Sequence, residues 1–212
     1  MVQEESSFCL FLTGNLKMSF FSHPTAVIEE GSDIGEGVRI WHFAHVMPRC
    51  TIGGDCVIGQ NVFIAAGVVL GKNVHVQNNV SLYEGVTCED DVFLGPSIAF
   101  TNIKNPRSAV SRKAEFQKTV VRKGATIGAN ATIICGTEIG QYAFVGAGAV
   151  LTKSIPPYAL VIGNPARQVG WVSEYGCRLT FDKSNHAVCE ESGQTYLLKD
   201  NLVFKSSVAA DV

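Results

Sequence analysis

The chain of 212 residues lacks three things that would have pointed its chemistry elsewhere: a run of eighteen apolar residues, a basic stripe, and any histidine between His75 and His186. Without a long apolar run, a membrane-spanning helix is not expected. The net charge of −2 and pI near 6.2 argue against nucleic acid as a partner, because a phosphate backbone needs clustered cations. The histidine gap removes the commonest general acid–base residue from the middle of the chain. The apolar stretch Phe8–Thr13 is too short for a signal core, and Glu4 and Glu5 stand where a positive region belongs. Met18 offers a second start, so residues 1–22 are expected to be an N-terminal extension outside the fold. Cysteine is present seven times but forms no disulfide framework. Cys50, Cys56 and Cys88 sit on an apolar track as small hydrophobes, which points to a reducing cytoplasm. Cys177 and Cys189 resemble half of a zinc ribbon, and two ligands do not close a tetrahedral site, so no metal is expected.

What the chain has in abundance is a period of six. Ile28, Ile34, Ile40, Val46, Ile52, Ile58, Ile64, Leu70, Val76, Leu82, Cys88 and Leu94 follow at that spacing, and Val121, Ile127, Ile133, Ile139, Val145 and Leu151 resume it. A second apolar track lies four residues behind, as in Val38, Ala44, Val62, Val80, Ala131 and Ala149. Neither a helix nor an alternating strand has this period; it is the signature of a hexapeptide-repeat parallel β-helix. Gly, Asn and Asp between the tracks, among them Gly59, Asn61, Asn79 and Asn130, suit tight corners. Three hexads make one triangular coil, so residues eighteen apart stack. About six coils, at ~4.8 Å per strand, give a prism ~30 Å tall. A β-sandwich with spaced valines is the competing architecture, and the unbroken phase disfavours it.

The β-helix is expected over 23–100 and 120–156, with a long loop insertion at 101–119 and a C-terminal cap and tail from 157 to 212. The insertion breaks the period and carries Lys104, Arg107, Arg112, Lys113 and Lys118; a loop of that length inside a compact repeat is functional or disordered. Pro156 and Pro157 end the repeat, since proline cannot donate to a ladder. Thr195–Leu198 and Leu202–Phe204 read as one hairpin in the tail. The two open ends of a β-helix are edge hazards, and its flat faces invite a symmetric oligomer.

Five segments carry a resemblance: Gly37–Val46, Val76–Val86 with its Gln-Asn-Asn-Val-Ser block, Phe100–Arg107, Gly124–Gly136 and Gly163–Trp171. Together they resemble the sugar-nucleotide 3-N-acetyltransferases of bacterial surface-polysaccharide pathways, hexapeptide-repeat enzymes related to those that act on a UDP-linked 2-acetamido-3-amino-2,3-dideoxy-glucuronate. The resemblance implies a left-handed coil, a homotrimer with sites between subunits, and acetyl transfer from acetyl-CoA to a sugar amine in lipopolysaccharide or O-antigen synthesis. A dTDP-linked 3-amino-3,6-dideoxyhexose is the alternative acceptor, and a non-catalytic β-helix scaffold is the alternative of another class.

A neutral sugar amine is already a nucleophile, so such an enzyme mainly aligns it with the thioester and stabilises the oxyanion. The resemblance places an asparagine near the amine, mapped here to Asn79 and then Asn78; the same residues also suit a corner for geometric reasons alone. Tyr83 and Glu84 are read either as a solvated corner or as hydrogen-bonding partners of sugar hydroxyls. Asn102, Asn105 and Arg107 enter the loop above that corner, where Arg107 could pair with a uronate or diphosphate. Gly128, Ala129, Gly146 and Ala147 offer backbone amides to pantetheine, and Lys153 and Arg167 stand where the family holds the nucleotide phosphates of CoA. His42 and His45 are read as packing or interfacial residues rather than bases. With His75 they lack the spacing of the zinc carbonic anhydrases that share this repeat.

Overall fold

The computed structural model describes residues 20–206, so the expectations placed on Glu4, Glu5, Phe8–Thr13 and Met18 fall outside the described residues. The fold is built almost wholly from two-residue strands joined by corners. Three parallel sheets form the faces of a prism. The first face stacks Phe21–Ser22, Arg39–Ile40, Val57–Ile58, His75–Val76, Phe93–Leu94, Thr126–Ile127 and Phe144–Val145. The second runs from Val27–Ile28 through His45–Val46, Phe63–Ile64, Ser81–Leu82, Ala99–Phe100 and Thr132–Ile133 to Val150–Leu151. The third runs from Asp33–Ile34 to Glu138–Ile139, with Ile155 bridged to Ile139 above it. This is a left-handed parallel β-helix, its coil as the period of six implies and its hand as the resemblance implies.

In the two-residue strands from Asp33–Ile34 onward the second residue points inward and the first outward. Ile40, Ile58, Val76, Leu94, Ile127 and Val145 are all 0% exposed. The second apolar track is buried with them: Val38, Cys56, Val74, Ala125 and Ala143 are 0% exposed and fill the space beside the corners. Each buried Ile or Leu side chain contributes roughly 1.5–3 kcal/mol relative to exposure. Burial raises the Cys56 thiol to about 11 and pushes Cys88 higher still, so these sulfurs pack as hydrophobes.

Corners turn through left-handed backbone. In the column joining the first face to the second, Phe43, Asn61, Asn79, Ser97 and Asn130 have φ of 58°, 56°, 62°, 59° and 57°. Asn tolerates that region because its short side chain hydrogen-bonds locally. Glycine is required where coils touch: a Cβ on Gly59 would lie 2.8 Å from the Asn78 backbone nitrogen, and one on Gly128 would lie 2.5 Å from that of Ala147.

Three boundaries differ from the expected ones. The first rung is Phe21–Ser22, paired with Arg39–Ile40, inside the segment expected to be an extension; Ser22 occupies the aliphatic phase, so the period does not reveal it. The strand after the loop begins at Thr119, which is 0% exposed and pairs with Val86. A further rung, Ala159–Ile162, continues the first face beyond the two prolines, and Arg167–Trp171 folds antiparallel onto it. The tail then forms a three-stranded antiparallel sheet of His186–Val188, Thr195–Lys199 and Leu202–Lys205, whose last two strands are the hairpin read from sequence. It joins the prism through a ring series in which Tyr142 stacks on Tyr158 at 5.6 Å and Tyr158 meets Tyr196 edge-on at 5.7 Å.

Candidate active site

The edge between the first and second faces carries the polar and small residues singled out in the sequence. Going up this edge, the corners are Trp41–Ala44, Gly59–Val62, Gln77–Val80, Gly95–Ile98, Gly128–Ala131 and Gly146–Ala149. One hydrogen bond recurs at each step, as the left-handed residue donates its amide to the coil below. Asn61 reaches the His42 carbonyl at 3.0 Å, Asn79 reaches Gln60 at 2.9 Å, Asn130 reaches Pro96 at 2.9 Å and Gly148 reaches Ala129 at 2.8 Å. The edge is therefore a rigid rail, and what its side chains and spare amides present is fixed by the ladder.

Asn78 and Asn79 separate on this rail. Asn78 Oδ1 accepts the Gln60 amide at 2.9 Å, which occupies its oxygen with the corner below. Asn79 Oδ1 accepts Asn61 Nδ2 at 3.2 Å. That leaves the exposed Asn79 NH2 group without a protein acceptor among the described residues. Asn79 is thus set up as a hydrogen-bond donor, a role suited to an oxygen that gains charge.

The four small residues expected to bind pantetheine lie on the same rail, two and three coils above Asn79. Their amides are not equivalent. Gly128 and Gly146 donate theirs to Val145 at 2.7 Å and Val161 at 2.8 Å within the ladder. Ala129 and Ala147 donate to no protein acceptor among the described residues. At the equivalent place lower down, Gln60 is capped by Asn78, whereas Ala129 has only the Ala147 methyl group above it. The two alanines therefore supply open donors, and the two glycines permit close stacking. Arg167, exposed and bonded to the Ala166 carbonyl at 3.0 Å, stands at the top of the rail; Lys153 is exposed at the next edge.

Tyr83, Glu84 and the loop occupy that next edge, between the second and third faces. Ser81 pairs with Ala99, so Thr101 and the loop rise directly above Tyr83. The neck of the loop is closed by the Gln117 amide to the Asn102 carbonyl at 3.0 Å and the Thr119 amide to Gly85 at 3.0 Å. Farther out, Asn105 and Arg107 are exposed, and Arg107 Nη1 donates to the Pro106 carbonyl at 3.1 Å. The two edges are four residues apart along one strand, or roughly 13 Å at 3.3 Å per residue. Within one chain the Asn79 rail and the loop do not converge.

Two arrangements were not anticipated. His45 Nε2 lies 2.7 Å from Glu29 Oε1, and its ring meets Phe63 edge-on at 5.7 Å; the diagonal between a strand and the corner one coil below has no sequence period. Arg122 bridges Glu89 at 2.7 Å and Glu138 at 2.8 Å across three coils. These three residues line an open depression on the third face with Gly140, Gln141 and Ser154–Pro157, away from the Asn79 rail. Cys177 and Cys189 lie together beside Ser173 and Ser192, and among the described residues no group of three or more His, Cys, Asp or Glu could hold a metal ion. No described helix is long and apolar enough to cross a membrane.

The bacterial transferase hexapeptide (six repeats) model matches residues 43–72, 55–90 and 118–153. A dTDP-3-amino-3,6-dideoxy-alpha-D-galactopyranose 3-N-acetyltransferase of Aneurinibacillus thermoaerophilus is 46% identical over 183 residues, covering 86% of this chain and 93% of that protein. The chain belongs to the hexapeptide-repeat acetyltransferase family. Another relative of this acetyltransferase, the bifunctional protein GlmU of Thermotoga petrophila, is 32% identical over 66% of the chain, which spans only 22% of that protein. Among solved structures, a hexapeptide-repeat-containing acetyltransferase of Vibrio cholerae complexed with acetyl coenzyme A superposes with a TM-score of 0.51. It is 25% identical, and the match covers 57% of this chain and 70% of that one.

Proposed function

We propose that this acetyltransferase moves an acetyl group from acetyl-CoA to the 3-amino group of a nucleotide-linked amino sugar. The relative that matches nearly end to end acts on a dTDP-linked 3-amino-3,6-dideoxy sugar, and that acceptor class is favoured over the UDP-linked uronic acid expected from the sequence. Arg107, expected to pair with a uronate carboxylate or the diphosphate, is exposed and donates to its own loop carbonyl, which leaves its guanidinium equally open to the diphosphate of either sugar. The reaction belongs in the cytoplasm, in the supply of sugars for surface polysaccharide.

The observation that carries the reading is the single rail bearing Asn79 below and the open Ala129 and Ala147 amides above. Pantetheine carbonyls would accept from those two amides as a neighbouring strand would, leading the thioester down to Asn79. The neutral amine attacks the thioester carbonyl carbon, and the C–S bond breaks as the tetrahedral intermediate collapses. The amine proton leaves through solvent to the departing thiolate, so no strong base is required. Asn79 Nδ2 donates to the carbonyl oxygen as it becomes an oxyanion.

A homotrimer is part of the proposal, because the loop edge and the Asn79 rail stand on different edges of one prism. Packing one subunit's loop against the next subunit's rail would complete the site with Tyr83, Glu84, Asn102 and Asn105 facing the sugar. Steady-state kinetics with acetyl-CoA and either a dTDP-linked 3-amino-3,6-dideoxyhexose or a UDP-linked 3-amino uronic acid tests the reading. A kcat/KM preference for the dTDP-linked sugar is expected. Preference for the uronic acid overturns the choice of sugar, and transfer to neither overturns the function.

A further inference from the structure

At the lower end of the rail the residue types change. His23 stacks on His42 with ring centroids 3.5 Å apart, Trp41 lies parallel to His42 within 4°, and Phe21 meets Trp41 edge-on at 5.5 Å. Phe43 follows, its ring 6.2 Å from His42. These five rings share one edge, yet they are not core: Trp41 is 38% exposed and Phe43 is 58% exposed.

Phe43 is the anomaly. It has φ 58°, in a column where the same conformation is taken by Asn61, Asn79, Ser97 and Asn130. A bulky residue in that region is strained, and strain of this kind persists where it serves a function. The other aromatic residues with positive φ, Tyr142 and Tyr158, stack on each other beneath the tail sheet. Packing accounts for them, but it does not account for Phe43.

The surroundings keep this edge open and fixed. Directly above Trp41 stands Gly59, where a side chain is forbidden by the 2.8 Å approach of Asn78, so the coil above sets no side chain over the indole. Thr25 Oγ1 accepts the Phe43 amide at 3.1 Å and lies 2.9 Å from His23 Nδ1. His23 Nδ1 also accepts the Thr25 amide at 3.2 Å, which places the proton of the neutral ring on Nε2, where it meets no acceptor among the described residues. The result is a ring surface in which Trp41 and His42 lie side by side within 4° of parallel and Phe43 rises at 55° to His42 as a wall, with a polar donor at its margin.

Its position selects the occupant. The open amides of Ala129 and Ala147 lie above Asn79, on the side from which pantetheine would descend. Phe43 lies two coils below Asn79, about 10 Å at ~4.8 Å per coil. A ribose and diphosphate bridge a gap of that order between a sugar and its base. We propose that the Trp41–His42–Phe43 edge is the stacking platform for the pyrimidine base of the nucleotide-sugar substrate. The proposal rests on the functional reading above and adds a subsite to it.

The test is fluorescence titration of the full chain with dTDP. Trp171→Phe leaves Trp41 as the remaining one of the two tryptophans. dTDP should quench Trp41, and acetyl-CoA should not. Phe43→Asn, which fits the left-handed corner, should weaken dTDP binding roughly tenfold or more, as losing one base–aromatic stack does. It should leave acetyl-CoA affinity and the sedimentation mass unchanged. If the Trp171→Phe chain binds dTDP without quenching, or Phe43→Asn binds it equally well, the platform is refuted while the function stands. A changed mass in Phe43→Asn means that the edge is a contact between copies of the chain and refutes the platform. No binding of dTDP or UDP by the wild type refutes the nucleotide-sugar reading itself.

Discussion

Replacing Asn79 separates its two roles, because one residue both turns the corner and presents the NH2 group. Asn79→Ala puts a Cβ without local compensation at φ 62°, at about 1 kcal/mol. It also removes the 3.2 Å bond from Asn61, an exposed contact contributing about 0.5–1 kcal/mol. At ~2–4 °C per kcal/mol for a chain of this size, Ala should lower Tm by roughly 3–8 °C. Asn79→Gly keeps the left-handed corner and should cost less than half as much. Asn79→Asp keeps both the turn and an acceptor for Asn61, and replaces the donor with a negative charge that opposes an oxyanion. If Nδ2 stabilises the oxyanion, all three variants should lose about 10²- to 10³-fold in kcat, with acetyl-CoA KM little changed. The assay pairs thermal melts with initial rates of thiol release from acetyl-CoA. Should Gly and Asp retain kcat within threefold of wild type while only Ala is impaired, Asn79 is a corner residue and not a catalytic one.

Arg122→Gln should destabilise the protein at neutral pH and less so in acid. The hydrogen bond from Arg122 is the foremost cause holding the Glu89 carboxyl below its usual 4.5. A depressed folded value means stability that is fully present above about pH 4.5 and lost as the pH falls through the folded value. Chemical melts across pH 3–7 should show the gap between variant and wild type closing in acid, and a gap independent of pH would remove the pair from the account. Leu82→Ala tests the rungs: Leu82 is 0% exposed, above Ile64 and below Phe100, so truncation should cost about 2–5 kcal/mol. A loss under 1 kcal/mol in urea melts would mean that neighbouring coils close the cavity.

The sequence made the prism legible because its physics repeats. Ile40, Ile58, Val76 and Leu94 occupy one position in successive coils, so a single phase names them all. Legibility failed where a rung departs from that phase. Phe144 and Val145 pair with Leu160 and Val161, sixteen residues on instead of eighteen. The shortfall lies between Leu151 and Ile155. Ile155 reads from sequence as a member of the second track but pairs with Ile139 as a third-face residue, so the rung beyond Pro157 is hidden from any fixed period. Asn79 could be found as a polar corner, but its difference from Asn78 could not, since it depends on which amide each side chain meets eighteen residues below. The same stacking shows why Ala129 and Ala147 matter more than Gly128 and Gly146. In a coil this regular, a binding group is one that the ladder leaves unused, and the ladder bonds become countable only when residues eighteen apart are laid one over another. Phe43 was the exception that a sequence could have disclosed. Aligned in eighteens with Asn61, Asn79 and Ser97, and across the loop with Asn130, it is the lone aromatic in a column of left-handed corners, and a residue that resists its own backbone is held there by something other than the fold.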